Sequence, residues 1–408
     1  VGGARERYAR VLRAPHARAL LLAELPARLP IGINGLAIVL FCREHTGSYA
    51  AAGAVAAGFG AAVGLTSPLI GRLIDRRGLT PVVVPFSIVH AAAMAGLVAC
   101  GLSGAPVGVL FALALAAGAF IPPLGSISRS MWPRILADED PGLLSTALAM
   151  EGVLIELIFV TGPLLTAALA ALVDPAAALV LSPVLLLVGL AGFLVQPPVR
   201  AWEVHADARA HGPWGALRSP GIRTLILTTA PMGFCFGAVE VTLPAFSEDQ
   251  GWRSLAGVLV AVWSAGSAVG GLLYGARAWT GVAGRRYARF AALLPLGYLP
   301  LALAPSMVVM GLLALIAGLC IAPTLTAANQ IAGDVAPRGA ETEAYTWPTM
   351  ALVAGIAGGN WVAGALVEGV SWQSGCLAAA AAACVAAVLA AARWRTLAPP
   401  PRAYEAAL

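Results

Sequence analysis

An ionised side chain near the middle of a membrane costs about 2.5–3.5 kcal/mol or more, so charges that interrupt the apolar stretches of this 408-residue chain are the first candidates for chemistry. Glu24 and Arg28 stand one helical turn apart. That spacing puts them on one face, where they form either a neutralising pair or a direct contact for a solute or proton. Glu156 falls near the middle of another apolar run. Glu151 lies on a different face of that run, about 7–8 Å nearer its start at 1.5 Å per residue. A carboxyl placed like Glu156 is either a proton carrier or a protonated side chain bonded to a neighbouring helix. Met232, Phe236 and Glu240 follow at four-residue steps, a stripe with an acid at one end. Its first two members suit a ligand or an ordinary packing face equally.

Neutral polar groups are sparse as well. Asn34, Thr326, Asn329, Gln330 and Asn360 offer donors and acceptors inside apolar runs, where amides either line a cavity or bond adjacent helices. Together with Trp347 and Trp361 they describe a mostly apolar cavity, better suited to an amphipathic organic molecule than to a sugar, whose hydroxyls need more polar partners. The six Cys and five His are scattered singly, so no metal site, no cofactor and no catalytic cluster is expected, and the chain does not read as an enzyme. The chain has no lysine and no G-x-x-x-x-G-K-[ST] loop, which removes ATP-driven transport.

The elements that must position these residues are membrane helices. Hydrophobic residues make up 59% of the chain and charged residues 11%, against about 45–50% apolar in soluble proteins. Apolar runs between charged or Pro/Gly-rich breaks predict twelve transmembrane helices, at 18–41, 48–70, 80–101, 106–127, 144–172, 176–196, 221–246, 254–278, 285–304, 307–332, 344–368 and 372–393. The fold class is therefore all-α integral membrane. Arginines cluster before the first span, after the second, fourth, eighth, tenth and last, and in the central connection, Arg209 and Arg402 among them. The opposite loops carry only Arg43 and Arg253, so the positive-inside rule places both termini in the cytoplasm. The net charge of +5 thus serves topology rather than nucleic acid. The apolar run after the Arg-rich start is too long for a cleavable signal. An all-Arg basic set on an Ala-rich background points to a GC-rich bacterial genome, hence to a multi-pass protein of a bacterial cytoplasmic membrane.

The hydrophilic stretch 197–220 divides the spans six and six, giving an N-terminal bundle over 1–196, a cytoplasmic linker over 197–220 and a C-terminal bundle with a short tail over 221–408. Gly71 and Gly271, Pro123 and Pro323, Thr146 and Thr346, and Met150 and Met350 repeat at one offset, 200 residues, in matching spans. Two pseudo-symmetric six-helix units made by duplication account for this.

After the second span comes Gly71-Arg72-Leu73-Ile74-Asp75-Arg76-Arg77-Gly78. This resembles the G-x-L-x-D-R-x-G signature of the major facilitator superfamily, in the position the signature occupies there. The span count, the central loop and a weakened second copy at 271–277 extend the resemblance over the whole chain. It implies a secondary transporter working by alternating access as a monomer among membrane lipids, with a small-molecule substrate, without nucleic acid and with protons as a candidate coupling ion. It also implies a cytoplasmic latch of Gly71, Asp75, Arg76, Gly78 and Arg129, in which Asp75 faces the start of the eleventh helix near 342–344, while Arg76, Arg77 and Arg129 can hold carboxylates or lipid phosphate. Arg72 occupies a variable position of the signature. The family's export signature in span five survives only as Gly162-Pro163, and its fourth-span arginine is missing. Export of an amphipathic solute is the first reading, with uptake or a non-transporting sensor of the same fold as alternatives.

Overall fold

A computed structural model describes residues 2–140, 142–202, 204, 215–252 and 255–398. Arg209, Arg253, Arg402, most of the central linker, the first residue expected of the eighth span and the end of the tail lie outside the described residues. All regular structure among the described residues is helical. Helix α1 (Gly2–Arg13) precedes the membrane segments. The N-terminal group comprises α2 (Ala17–Thr46), α3 (Tyr49–Arg77), α4 (Leu79–Leu102), α5 (Val107–Ala119), α6 (Leu124–Ile135), α7 (Leu143–Leu172) and α8 (Pro175–Leu194). A single turn, α9 (Pro197–Arg200), leads to the C-terminal group. That group holds α10 (Pro220–Asp249), α11 (Ala256–Gly275), α12 (Ala283–Tyr298), α13 (Met307–Gly318), α14 (Ile321–Asp334), α15 (Glu341–Gly369) and α16 (Trp372–Arg393).

Among the described residues eleven segments are long and apolar enough to cross a membrane, counting α5 with α6 and α13 with α14 as one each. The protein is a multi-pass membrane protein. Two expected single helices are broken, both at matching places. Span four stops at Ala119 and resumes at Leu124, because Pro122 and Pro123 remove two backbone donors and clash with the preceding turn. Span ten breaks at Leu319 and Cys320, with Pro323 in the first turn of α14, where a missing N–H costs little. The expected ninth span is a 16-residue helix prolonged by a 3-10 segment, Leu299–Leu303. Three arginines in its first two turns lower its apolarity, although its total length is about 34 Å.

Within each group helices approach through small residues, as membrane helices must when no hydrophobic effect separates helix from lipid. In the C-terminal group α10 packs most extensively on α15, where Gly233 and Gly237 meet the backbone of Leu352 and Ile356. In the N-terminal group Gly32 of α2 meets Ile158 and Gly162 of α7. Four apolar clusters follow this packing; one, around Phe41, Met94 and Leu110, and one, around Met232, Phe246 and Met310, occupy equivalent regions of the two groups.

Helices of the two groups pack across the molecule as α3 with α15, α7 with α11, α7 with α14 and α6 with α15. The starts of α7 and α15, the ends of α3 and α11, and helix α1 share one end, which also carries Arg72, Arg76 and Arg77. This is called the arginine-rich end below.

Candidate functional site

The first junction between the groups is built on Asp75, in the last turn of α3. Helix α15 begins after Ala340, a residue without a side-chain oxygen to cap the first-turn amides. Asp75 caps them from the other group: its Oδ1 accepts from Thr342 N at 3.2 Å and its Oδ2 from Glu343 N at 3.0 Å. The carboxylate is 4% exposed, so it meets the positive end of the helix dipole with little water between. Gly71 makes the approach possible, since a Cβ there would stand 3.2 Å from the Thr346 side chain. Gly78 ends α3 with φ of +91°, a conformation that disfavours any side chain. Arg72 is buried and reaches Glu343 at 3.4 Å, while Glu343 also accepts from Trp347 Nε1 at 3.1 Å. Sequence reasoning treated Arg72 as a variable position and so missed its role here; burial, which only the fold reveals, makes it part of the junction. Arg76 is half-buried. The electrostatic neighbours of Arg129, half-buried on α6, are Arg28, Glu151, Glu24 and Tyr345.

The second junction stands at the duplicated position. Gly275, at the end of α11, takes the place of Asp75 at an offset of 200 residues, and Thr146 on α7 takes that of Thr346. Gly275 has no side chain to supply the carboxylate; helix α1 fills the gap. Tyr8 Oη donates to Leu272 O at 2.8 Å, and Arg7 Nε donates to Gly275 O at 3.4 Å. Arg7 Nη2 bonds Gly142 O and Thr146 Oγ1, the latter at 3.0 Å. Thr146 Oγ1 itself donates to Gly275 O at 2.7 Å. A Cβ at Gly275 would stand 2.5 Å from Tyr8 Oη and 2.7 Å from Ala149 Cβ. Partial burial pushes the Tyr8 phenol up to about 12, with Arg7 opposing, so it remains a donor near neutral pH. Arg10 pairs with Glu139 at 2.9 Å and fixes α1 against the α6–α7 turn. The alternation of arginines with apolar residues in "RERYARVLR" was the available signal for this helix.

Deeper in the N-terminal group lies a buried charge cluster. Arg28 Nη1 donates to Glu24 Oε1 at 2.5 Å and to Glu151 Oε2 at 2.6 Å. Ser128 Oγ stands 2.7 Å from Glu24 Oε2 and 2.8 Å from Glu151 Oε1, and Trp132 Nε1 donates to Glu151 at 2.9 Å. Glu24, Arg28 and Glu151 are each no more than 1% exposed. Ser128 carries one hydroxyl hydrogen but faces two carboxyl oxygens. A proton on one of the two carboxyls would complete both contacts. Glu151 Oε1 already accepts from Trp132, so the Glu24 oxygen facing Ser128 is where that proton would sit. Arg129 adds a second positive charge beside the two carboxyls. Glu151 was not expected to join Glu24; the signal was its position in an apolar run, and its partners come from other helices.

The other candidates are dispersed. Ser267 Oγ donates to Glu156 Oε1 at 2.9 Å, joining α11 to α7. Glu240 is exposed near the far end of α10 and is bonded by Asn360 of α15. Asn34 is fully buried and accepts from Ser182 at 2.5 Å. Met232 and Phe236 sit in an apolar core, Phe236 edge-to-face with Trp263 at 5.9 Å. Thr326 is buried where α14 meets α7 at Gly152. Asn329 is half-buried on α14, and Gln330 accepts from Arg286 at 2.5 Å.

A membrane fold whose two groups meet through a carboxylate-capped helix, with charges buried inside one group, defines a transporter-type architecture. The Major Facilitator Superfamily profile matches residues 20–303, and the chain belongs to that family of transporters. Among solved structures it resembles the human organic anion transporter MFSD10 (TETRAN) at 21% identity and a TM-score of 0.62, over 97% of this chain and 98% of that one. It also resembles a bacterial homologue of the iron transporter ferroportin in the outward-facing state, at 15% identity and a TM-score of 0.71, over 93% and 98%. The E. coli fucose:proton symporter FucP aligns at 13% identity and a TM-score of 0.69, over 94% and 99%. At these identities the likeness is one of fold. No curated protein matches the chain by sequence.

Proposed function

We propose that the protein is a secondary active transporter that exports a small amphipathic organic solute across a bacterial cytoplasmic membrane by alternating access, in exchange for protons. In this reading residues 1–196 and 221–408 form two six-helix bundles joined by the linker 197–220. The segment 283–303 is the twelfth crossing, and both termini and the arginine-rich end are cytoplasmic. The protein acts as a monomer surrounded by lipid.

The observation that carries the reading is where the groups are bonded. Asp75 with Thr342 and Glu343, Arg72 with Glu343, Thr146 and Arg7 with Gly275, and Tyr8 with Leu272 all lie at the arginine-rich end. The Glu156–Ser267 bond lies deepest among these contacts and forms a floor. This bonding pattern supports an outward-open state closed on the cytoplasmic side. Glu240, exposed and bonded by Asn360, and Glu156 are in this reading the polar groups assigned to the solute. The carboxyl proton that would complete the Ser128 contacts is the one assigned to coupling, held by Glu24 among Arg28, Glu151, Trp132, Arg129 and Tyr345.

Proteoliposomes under an imposed pH gradient, challenged with labelled amphipathic organic cations and anions, test the reading. Gradient-driven flux of at least one compound, lost on Glu24→Gln, is expected. A compound that moves with the same gradient dependence in Glu24→Gln contradicts coupling through this cluster, and absence of flux for every compound contradicts the amphipathic solute.

A further inference from the structure

The connection between α11 and α12 carries a feature that neither junction uses. A cavity of about 460 Å³ opens there, lined by Trp279, Thr280, Gly281, Val282, the arginines 285, 286 and 289, Phe290 and Leu293. That volume lies within the range of about 300–1,000 Å³ typical of small-molecule sites. The sequence holds no acidic residue between Asp249 and Asp334, so Arg277, Arg285, Arg286 and Arg289 have no carboxylate close in the chain. None of the four takes part in the ion pairs found among the described residues.

Three of the four guanidinium groups are held by aromatic rings instead. Arg277 lies over Trp279 at 4.9 Å, Arg285 over Trp394 at 4.4 Å, and Arg286 within 5.6 Å of Tyr274 and 5.5 Å of Trp279. A guanidinium stacked on a ring keeps its in-plane N–H groups available, the geometry that grips a phosphate. Arg286 is 7% exposed, and its Nε has no hydrogen-bond partner although the atom is buried. Leaving such a donor unmet is costly, and a ligand in the cavity that Arg286 lines would supply an acceptor. Helix α12 starts at the same cavity, after Val282, without a side-chain cap.

The remaining lining includes apolar residues that are exposed. Val282 and Leu293 are each 44% exposed, and Leu296, one turn beyond Leu293, is 67% exposed. Phosphate-binding donors next to exposed apolar residues match a molecule with an anionic head and acyl chains. Trp279 sits between the two, as amphipathic rings do at membrane interfaces.

We propose that this cavity binds the phosphate of an anionic phospholipid headgroup, with Arg285, Arg286 and Arg289 as its donors and Leu293 and Leu296 beside the first acyl carbons. A free phosphate would use the same donors but none of the apolar residues. Arg286 also ties the cavity to α14 through Gln330, so a bound headgroup bears on a helix that packs across the two groups.

The test is native mass spectrometry of the purified full chain titrated with phosphatidylglycerol, with phosphatidylcholine, and with phosphatidylglycerol in the presence of inorganic phosphate. The expected result is a phosphatidylglycerol adduct that phosphatidylcholine does not match and that millimolar inorganic phosphate does not displace. Arg285→Gln/Arg286→Gln/Arg289→Gln weakens it about a hundredfold. Trp279→Ala, which keeps every charge, weakens it severalfold and keeps the proposal testable if the triple variant fails to insert. Arg5→Gln/Arg13→Gln/Arg18→Gln, which removes equal charge elsewhere at the same end, leaves it unchanged. Full displacement by inorganic phosphate would reassign the site to a soluble phosphate and overturn the lipid assignment. Equal loss in the control triple, or wild-type binding by both cavity variants, would overturn the site.

Discussion

The two junctions at the arginine-rich end solve one problem with opposite chemistry. Where α3 meets α15, a buried carboxylate accepts from the first amides of a helix. Where α11 meets α7, two hundred residues on in the chain for α11 and two hundred earlier for α7, the carboxylate position is Gly275 and the partner groups are donors aimed at the last carbonyls of α11. Both use the helix dipole with the correct sign, an anion at an N-terminus and a cation at a C-terminus. The difference teaches that duplicated halves need not keep duplicated residues. A helix outside the repeat, α1, can stand in for a lost side chain, but with long half-buried arms rather than a short buried one.

That contrast predicts a ranking. Asp75→Asn keeps the size of the side chain but loses its charge, and a partly buried charge at a helix terminus contributes up to about 2 kcal/mol. A loss near 1.4 kcal/mol moves the outward/inward equilibrium about tenfold toward inward-open, read as loss of short α3–α15 distances between spin labels. Arg72→Ala removes the buried partner of Glu343 but leaves both amides capped, so a shift of the same sign and about threefold to fivefold is expected in the same distances. Arg7→Ala removes donors to Gly142, Thr146 and Gly275 and should lengthen α7–α11 distances while α3–α15 stays short in most molecules. A shift as large as that of Asp75→Asn would break the ranking.

Tyr8→Phe deletes one hydrogen bond, worth about 0.5–1.5 kcal/mol, and should move α7–α11 less than Arg7→Ala does. The smallest effect concerns pH. Because the Tyr8 phenol lies at about 12 rather than 10.0, its donor form persists below that pH, and raising the pH from about 7 to about 9.5 should leave the α7–α11 distance unchanged. Opening of this junction alone near pH 10 would show that Tyr8 titrates as an exposed phenol.

Much of this was legible in the chain. The octapeptide at 71–78 pointed to Asp75, and its resemblance to the family signature, with span counting, implied the start of the eleventh helix near 342–344 as the partner. The breaks in spans four and ten were written in Pro122, Pro123 and Pro323, yet read as continuous helices because hydropathy alone does not register a missing backbone donor. What stayed hidden depends on contacts between distant segments. Glu151 joins Glu24 only because α2, α6 and α7 converge, and Met232 and Phe236 form a stripe that faces the core rather than the space between the groups. Gly275 was visible as a weakened repeat, but nothing in its neighbours tells that Arg7 and Tyr8 occupy its place.

The central claim is that the two groups are held together at the arginine-rich end chiefly by Asp75 and separate there during transport. Double electron–electron resonance between labels at the ends of α3 and α15, in wild-type protein and in Asp75→Asn reconstituted in the same lipid, tests it most directly. The account predicts a predominantly short distance in the wild type and a long-distance population about tenfold larger relative to the short one in the variant. An unchanged distribution in a correctly inserted variant would contradict it.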